Sequence, residues 1–336
     1  MSEPTRRFTT IALMNQKGGV GKTTTCANLG AAIAERGKNV CLVDLDPQAH
    51  LTINFGIDVD DDALSLYDLL TGEATFLETV RTLEKFPQSP GNVAVLPGHT
   101  DLAALEGELA SAPDRHRRLA DVLLRAEHDF DYVLIDCPPS LGLLTLNGLT
   151  LAGEVLIPMQ PHFFALQGFA KLVETIEGVR EAGINPDLKV LGLLLTMFDA
   201  NTRLAGDVIA ELEAYLAAQK DRDHPCGQTI IFDTRVRRNI KLAESPSFGE
   251  PITVYDSASN GAADYRRLAE EVLTAHGHLT PPAEATLPPV PQPQPTVKVA
   301  EIDQSKLRAA EVGDGGGRIE RPETPLDKPV ETPFGV

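Results

Sequence analysis

Apolar runs alternate with amphipathic stretches along most of the chain. Short apolar runs between turn residues predict strands at 8–14, 39–45, 92–96, 131–136, 154–159, 188–197 and 229–232. Apolar residues that recur at helical spacing predict helices at 23–36, 114–127, 141–151, 165–182, 203–219 and 258–276. This alternation is typical of parallel strands joined by crossover helices. We therefore expect an α/β fold, a doubly wound, mostly parallel sheet with helices on both faces.

The last part of the chain has a different composition. Residues 280–336 hold 11 of the 25 prolines, together with nine acidic and six basic side chains. Such a segment has too little large apolar surface to form a packed core. We therefore predict a folded domain at 1–279 and a proline-rich, acidic, disordered tail at 280–336.

The net charge of the chain limits which molecules it can bind non-specifically. The chain of 336 residues has 48 acidic and 30 basic side chains, which gives a net charge of −18. This charge disfavours general adhesion to nucleic acid or anionic lipid, so any DNA binding needs a local basic patch. The cysteines Cys26, Cys41, Cys137 and Cys226 do not pair at metal-binding spacing, and we interpret them as buried free thiols. No apolar signal region or membrane-spanning stretch is present in the sequence, so we expect a cytoplasmic protein.

A glycine-rich segment between the first predicted strand and the first predicted helix carries the most specific chemistry. Residues 17–24 read KGGVGKTT. The glycines let the backbone curl so that its N–H groups face a phosphate, and the helix that follows adds its positive end. Lys22 can reach the β and γ phosphates, and the Thr23 hydroxyl can bind Mg²⁺. A strict phosphate loop has glycine at position 16, where this chain has Gln16, and a second lysine, Lys17, follows.

Three aspartates stand where predicted strands end. Asp44 and Asp46 follow the second strand, and Asp136 ends the apolar run YVLID. Open α/β sheets bind their ligands at this edge. Of Asp44 and Asp46, one carboxylate can bind hydrated Mg²⁺ and the other can orient the attacking water. The structural alternative is that these aspartates cap a helix. Asp136 has the arrangement of a carboxylate that holds Mg²⁺ through water.

Several of these segments resemble one family, and they occur in the same order. The two lysines around GGVG resemble the deviant Walker A loop of the ParA/MinD ATPases. The segments DLDPQ at 44–48 and DCPPSLGLLTLNGL at 136–149 resemble the motifs that follow it in that family. Over residues 8 to about 275 the chain is similar to the ParA/Soj ATPases that partition chromosomes and plasmids. The resemblance implies a Mg²⁺-dependent enzyme that hydrolyses ATP to ADP and phosphate.

The resemblance also implies roles for single residues. Lys17 would reach the partner's nucleotide across a dimer, Asp46 would orient water, and Asp44 would lie on the magnesium side. The expected catalytic residues are Lys17, Lys22 and Asp46, and the expected metal-binding residues are Thr23, Asp44 and Asp136. The expected nucleotide contacts are Lys17, Gly18, Gly19, Val20, Gly21, Lys22, Thr23, Thr24, Arg237 and Asn239, of which the last two would lie by the adenine.

The densest basic run of the chain lies near the end of the predicted domain. Four cations fall within the seven residues 235–241. In the family that this run resembles, its helix presents cations to DNA, which implies Arg238 and Lys241 as DNA-binding residues. A second DNA-facing arginine of that family would fall at 201, where this chain has Asn201, and Arg203 is the nearest substitute. The alternative interpretation of the run is a solvated, salt-bridged helix face.

These features together predict a switch protein. We expect an ATP-driven homodimer that binds non-specific DNA and segregates chromosome or plasmid DNA with a ParB-like partner, on the nucleoid and without a membrane. One alternative is a ParA-like ATPase that positions a non-DNA cargo on the nucleoid, and a gene neighbour encoding ParB would separate the two. A MinD-like membrane-associated switch is disfavoured by the acidic, proline-rich tail. A relative of the Fe–S reductases is disfavoured because the chain lacks paired ligand cysteines.

Overall fold

The computed structural model describes residues 8–279, apart from 59, 61–62, 84–88, 127, 163, 200–202 and 221, and for Arg203 it describes the backbone alone. The predicted tail at 280–336 therefore lies outside the described residues. The strands are β1 Thr9–Leu13, β2 Val40–Asp44, β3 Arg81–Thr82, β4 Val93–Leu96, β5 Tyr132–Asp136, β6 Glu154–Met159, β7 Lys189–Phe198 and β8 Ile230–Arg237. The helices are α1 Lys22–Glu35, α2 His50–Asn54, α3 Leu66–Thr71, α4 Phe76–Thr79, α5 Leu105–Glu108, α6 Arg118–Arg125, α7 Leu143–Leu151, α8 Ala165–Glu181, α9 Arg203–Gln219, α10 Ile240–Glu244, α11 Ile252–Tyr255 and α12 Asn260–Ala275. Short 3₁₀ turns lie at Thr100–Ala103, Arg115–Arg117 and Ser245–Phe248.

The eight strands form one sheet in the order β3-β4-β2-β5-β1-β6-β7-β8. All neighbours pair in parallel except β3 and β4, which are antiparallel. The predicted α/β fold with a mostly parallel sheet is therefore confirmed. The C-terminal ends of β1, β2 and β5 lie side by side, because Leu13 and Asp44 are both in register with Asp136. The glycine-rich loop and the two strand-end aspartates consequently meet at one edge.

Apolar layers cover both faces of this sheet. Along β5, Tyr132 and Leu134 pack into the layer that contains α1 and α12, whereas Val133 and Ile135 pack into the layer that contains α7 and α8. This alternation follows from the two-residue period of a strand, and burial on both faces explains the continuous apolar run. Helix α1 is buried along nearly its whole length because it lies between the sheet and α12.

The structure contains short elements that were not predicted, and its last strand is longer than predicted; besides those described next, the unpredicted helices are α5, α10 and α11. Between the second and fourth strands it has the short helices α2, α3 and α4 and the two-residue strand β3, none of which was predicted. The last strand, β8, continues to Arg237, well past the predicted end at residue 232. Arg235 and Arg237 therefore belong to an edge strand rather than to a basic helix.

Candidate active site

The loop after β1 has a conformation that requires glycine. Gly19 and Gly21 have φ values of 71° and 88°, in the left-handed region that side chains other than glycine rarely adopt. Gly21 is the residue before α1, and no side chain caps this helix, so its first N–H groups point into the loop. Two carbonyls of the loop bond outward instead: Gly19 O accepts from the Gln160 side chain at 3.2 Å, and Val20 O accepts from the Thr196 hydroxyl at 2.8 Å. The loop is thus held open for an anion at a helix N-terminus.

The two lysines of the loop occupy different surroundings. The Lys22 side chain lies inside the site, where the residue is 7% exposed and its charge acts on Asp136. Lys17 is exposed, and its backbone N–H donates to the Asn15 side chain at 3.0 Å. Its ammonium contacts the imidazole of His162, which the sequence analysis did not single out. The two ammonium groups therefore lie in different places, that of Lys22 near Asp136 and that of Lys17 at His162.

Asp136, at the end of β5, is a buried carboxylate without a hydrogen-bond partner among the described residues. Neither of its oxygens has one, and the residue is 1% exposed. Burial raises the pKa of Asp136 well above its usual range, and the nearby charge of Asp44 raises it further. The Thr23 hydroxyl, a donor that lies just outside good hydrogen-bond geometry, and the charge of Lys22 lower this pKa in part. An orphaned carboxylate beside a lysine and a threonine hydroxyl is suited to a cation shared with phosphate.

Asp44, by contrast, already has three donors. One carboxylate oxygen accepts from the Thr52 N–H at 2.8 Å and the Thr52 hydroxyl at 2.7 Å, and the other accepts from the Asp46 N–H at 3.3 Å. The Thr52 hydroxyl also accepts from the Gly98 N–H at 2.9 Å. Burial raises the pKa of Asp44 to about 6, although these hydrogen bonds lower it. Asp44 therefore bonds the first turn of α2 and also lies next to Asp136. Its hydrogen bonds with Thr52 agree with the alternative interpretation of Asp44 as a residue that caps a helix.

Asp46 lies in the turn beyond β2 and is half-buried. One of its carboxylate oxygens accepts from the Gln48 N–H at 3.0 Å. It does not cap α2, since the residue before that helix is Ala49, with φ 51° and no side-chain hydrogen bond. Its place at the mouth of the site is compatible with a contact to water.

An apolar cavity of about 450 Å³ lies beside the loop. Its lining includes Gly21, Thr24, Thr196, Met197, Val236, Arg237, Arg238, Asn239, Leu242 and Tyr265. Its shape and apolar walls suit a flat heterocycle next to the phosphate position. The Arg237 guanidinium bonds the fully buried Asp264 carboxylate at 2.7 and 3.0 Å, and the Asn239 side chain accepts from the Lys241 N–H at 2.8 Å. These two predicted nucleotide contacts therefore shape the cavity wall while their polar groups bond within the protein.

The cationic side chains of the basic run differ in whether they have an acidic partner. Arg238 is exposed, and its side chain makes no ion pair or hydrogen bond within the described part of the chain. The Lys241 ammonium bonds the Glu244 carboxylate at 2.8 Å and lies 5.7 Å from the centre of the Tyr255 ring. The Arg203 side chain lies outside the described part. Of Arg238 and Lys241, the two predicted DNA-binding residues whose side chains are described, Arg238 is thus the one without an acidic partner.

The segment after Asp136 is tied down by a residue that the sequence analysis did not identify. The Glu106 carboxylate, from α5, accepts a hydrogen bond from the Leu143 N–H in the first turn of α7. It occupies the space that a β-carbon on Gly142 would need. The structure thus gives a steric reason for glycine at position 142, because a β-carbon there would displace this carboxylate from α7.

A loop of this form, followed by a helix and flanked by strand-end aspartates on a parallel sheet, defines a P-loop nucleoside triphosphatase. A family model described as AAA domain matches residues 8–190. The sporulation initiation inhibitor protein Soj of Bacillus subtilis (strain 168) is 43% identical over 264 residues, which cover 78% of this chain and 97% of that protein. The chromosome-partitioning ATPase Soj of Thermus thermophilus is 44% identical over 263 residues, covering 78% and 94%.

A solved structure of similar fold is that of cobyrinic acid a,c-diamide synthase from Mycobacterium smegmatis with bound ATP analog and magnesium. It has a TM-score of 0.65 and 36% identity, and the match covers 79% of this chain and 94% of that one. The chain belongs to the ParA/Soj family of chromosome-partitioning ATPases, which confirms the predicted resemblance. In the described part of the chain, no helix is both long and apolar enough to cross a membrane.

Proposed function

We propose that this partition ATPase is a dimerising switch that binds DNA in its ATP state and moves DNA with a ParB-like partner. ATP is the substrate and Mg²⁺ the cofactor. Hydrolysis to ADP and phosphate returns the protein to the monomer and releases DNA. The proposed site of action is the nucleoid.

The observation that carries this proposal is the unpartnered carboxylate of Asp136 beside Lys22 and Thr23. A buried carboxylate without a partner is costly, and a cation would relieve that cost. Mg²⁺ usually takes few protein ligands and several phosphate or water oxygens, which matches a site of one hydroxyl and one or two carboxylates. Thr23 and Asp136 would hold it, with Asp44 nearby, and when bound it would neutralise charge on the phosphate oxygens.

The protein's own residues then have separate tasks. The N–H groups at the start of α1 and the Lys22 ammonium bind the phosphates, and the apolar cavity beside β8 takes the adenine. Asp46 orients the attacking water at the mouth of the site. Lys17 is exposed and contacts His162, and its ammonium would bind the nucleotide of a second subunit.

DNA binding is assigned to the surface around Arg238. In a two-fold dimer, the exposed Arg238 of each subunit would form a paired basic surface, to which Lys241 and Arg203 would add. Contacts of this kind bind phosphates without reading the base sequence and weaken steeply with salt. On a chain of net charge −18, such a surface has to be local.

The proposal is tested by measuring ATP hydrolysis with Mg²⁺, alone and with duplex DNA and the ParB-like protein of the same genome. We expect slow basal turnover that DNA and the ParB-like protein together stimulate. Lys22→Ala should lose nucleotide binding, whereas Asp46→Ala should bind ATP, dimerise and fail to hydrolyse it. Lys220→Ala, at an exposed lysine away from the site, is the control. Wild-type hydrolysis no faster than that of Lys22→Ala would refute the assignment.

A further inference from the structure

The contact between Lys17 and His162 joins the glycine-rich loop to the segment between β6 and α8. The Lys17 ammonium lies within hydrogen-bond reach of the Nε2 atom of His162. Both residues line a cavity of about 710 Å³ next to the N-terminus of α8. His162 is half-buried, and its carbonyl accepts from the Ala165 N–H at 2.8 Å, so its backbone is fixed by the first turn of α8.

The chemistry of the pair fixes the protonation of the imidazole. A lysine ammonium has three donors and no acceptor, so Nε2 of His162 has to accept with its lone pair. The ring proton therefore sits on Nδ1, which is buried and has no hydrogen-bond partner among the described residues. A protonated imidazole has no free lone pair and would place a second cation against the ammonium. The bond consequently exists only while His162 is neutral.

We propose that His162 is a positioning residue that retains the Lys17 ammonium beside its own subunit and thereby restrains ATP-driven dimerisation. This inference rests on the proposed function, in which Lys17 crosses to the partner's nucleotide. While the imidazole accepts from the ammonium, only a fraction of the subunits has Lys17 free for the partner. The apparent affinity of the subunits for one another is lowered in proportion to that fraction. Loss of the His162 acceptor should therefore raise this affinity.

The test is the dissociation constant of the dimer, measured by analytical ultracentrifugation with a non-hydrolysable ATP analogue and Mg²⁺. At pH 8, His162→Ala is expected to dimerise about three- to ten-fold more tightly than the wild type, with the analogue's affinity for the monomer unchanged. His162→Gln keeps a side-chain acceptor, so its dimer should be weaker than that of His162→Ala and closer to that of the wild type.

His278→Ala is the matched control, since it removes an imidazole that packs on Tyr132 at the opposite end of the sheet. Equal or weaker dimerisation of His162→Ala at pH 8 would overturn the proposal while leaving the role of Lys17 intact. Failure of the wild type to dimerise at all would overturn the proposed function and, with it, this inference.

A second measurement examines the contact without any nucleotide. Long-range ¹H–¹⁵N NMR spectra of histidine-labelled protein at pH 8 should show His162 as the tautomer with the proton on Nδ1. Lys17→Met should change the tautomer ratio of that ring, whereas the spectrum of His278 should stay the same. A wild-type His162 with its proton on Nε2 would contradict the proposal, because that nitrogen could not then accept from Lys17.

Discussion

The same substitution at two buried aspartates is expected to change stability in opposite directions. Asp136 and Asp264 are 1% and 0% exposed, respectively. The Asp136 oxygens have no partner within the described residues, whereas Asp264 accepts from the Arg237 side chain at 2.7 and 3.0 Å and also pairs with Arg267. Asp136→Asn should therefore stabilise the nucleotide-free protein, and Asp264→Asn should destabilise it.

The magnitude follows from the neighbouring carboxylate. Asp44 is equally buried and has three donors, yet burial still raises its pKa from 3.8 to about 6. A difference of two pKa units corresponds to about 3 kcal/mol in the free energy of unfolding. Asp136 has no well-formed donor of this kind, and the Thr23 hydroxyl and the Lys22 charge compensate it only in part, so we expect a gain in the free energy of unfolding of about 1–3 kcal/mol. For a domain of this size that is a rise of about 3–10 °C in melting temperature.

The stability gained from Asp136→Asn should depend on pH in a definite direction. The pKa of Asp136 is raised in the folded state, so the folded protein keeps this proton to a higher pH than the unfolded chain does. The cost in stability is absent below the unfolded pKa of about 4, grows as the pH rises from there to the folded pKa, and is constant above it. Carboxylates whose pKa is lowered, such as Glu154, lose their contribution only as the pH falls below about 4.5, outside the range used here. The gain from Asp136→Asn should thus be larger at pH 8 than at pH 5.

Thermal melts followed by circular dichroism, in EDTA and without nucleotide, provide the assay. Asp264→Asn should lower the free energy of unfolding by about 1–3 kcal/mol, since its Arg237 partner is partly exposed to solvent. Asp136→Asn should also abolish Mg²⁺-dependent ATP hydrolysis. A lower melting temperature for Asp136→Asn at pH 8, or a gain that does not grow from pH 5 to pH 8, would refute the reasoning that this carboxylate is an uncompensated charge.

Three further predictions address Gly142 in the segment after Asp136, the basic surface around Arg238, and the tail at 280–336. Gly142→Ala should displace Glu106 from α7 and lower the melting temperature by about 2–6 °C, and an unchanged melt would argue against the steric reason. Arg238→Glu should reduce ATP-dependent retention of duplex DNA on filters about ten-fold, and Lys241→Glu should reduce it less because that ammonium already has an acidic partner. Equal losses would contradict this ranking. Truncation after Leu279 should leave the melting temperature within about 2 °C, and a fall of many degrees would show that the tail packs on the domain.

The sequence was sufficient for the features that are written locally in the chain. The period of apolar residues gave the long helices and the buried strands, because strands covered on both faces need continuous apolar runs. The loop KGGVGKTT and the strand-end aspartates are contiguous motifs whose chemistry depends on spacing alone. The helices between β2 and β4 were missed, since four to six residues are too few to show a period.

The end of β8 was missed for a different reason. This edge strand is half exposed, so polar side chains at Asp233, Arg235 and Arg237 alternate with buried Phe232 and Val236. A search for continuous apolar runs stops where that alternation begins. The pattern is present in the sequence as an alternation of polar and apolar residues instead of a continuous apolar run.

The partners of the site residues were decided by the tertiary structure alone. Lys17 meets His162, Leu143 meets Glu106, and Arg237 meets Asp264, all through segments distant in the chain. Single polar contacts of this kind have no period and no fixed spacing, so they leave no pattern in a single sequence. They nevertheless decide which charges are compensated, because a buried or half-buried group depends on the few side chains that folding places within hydrogen-bond distance. The sequence thus determined which reactive groups gather at one edge of the sheet, and folding determined which of them still lack a partner.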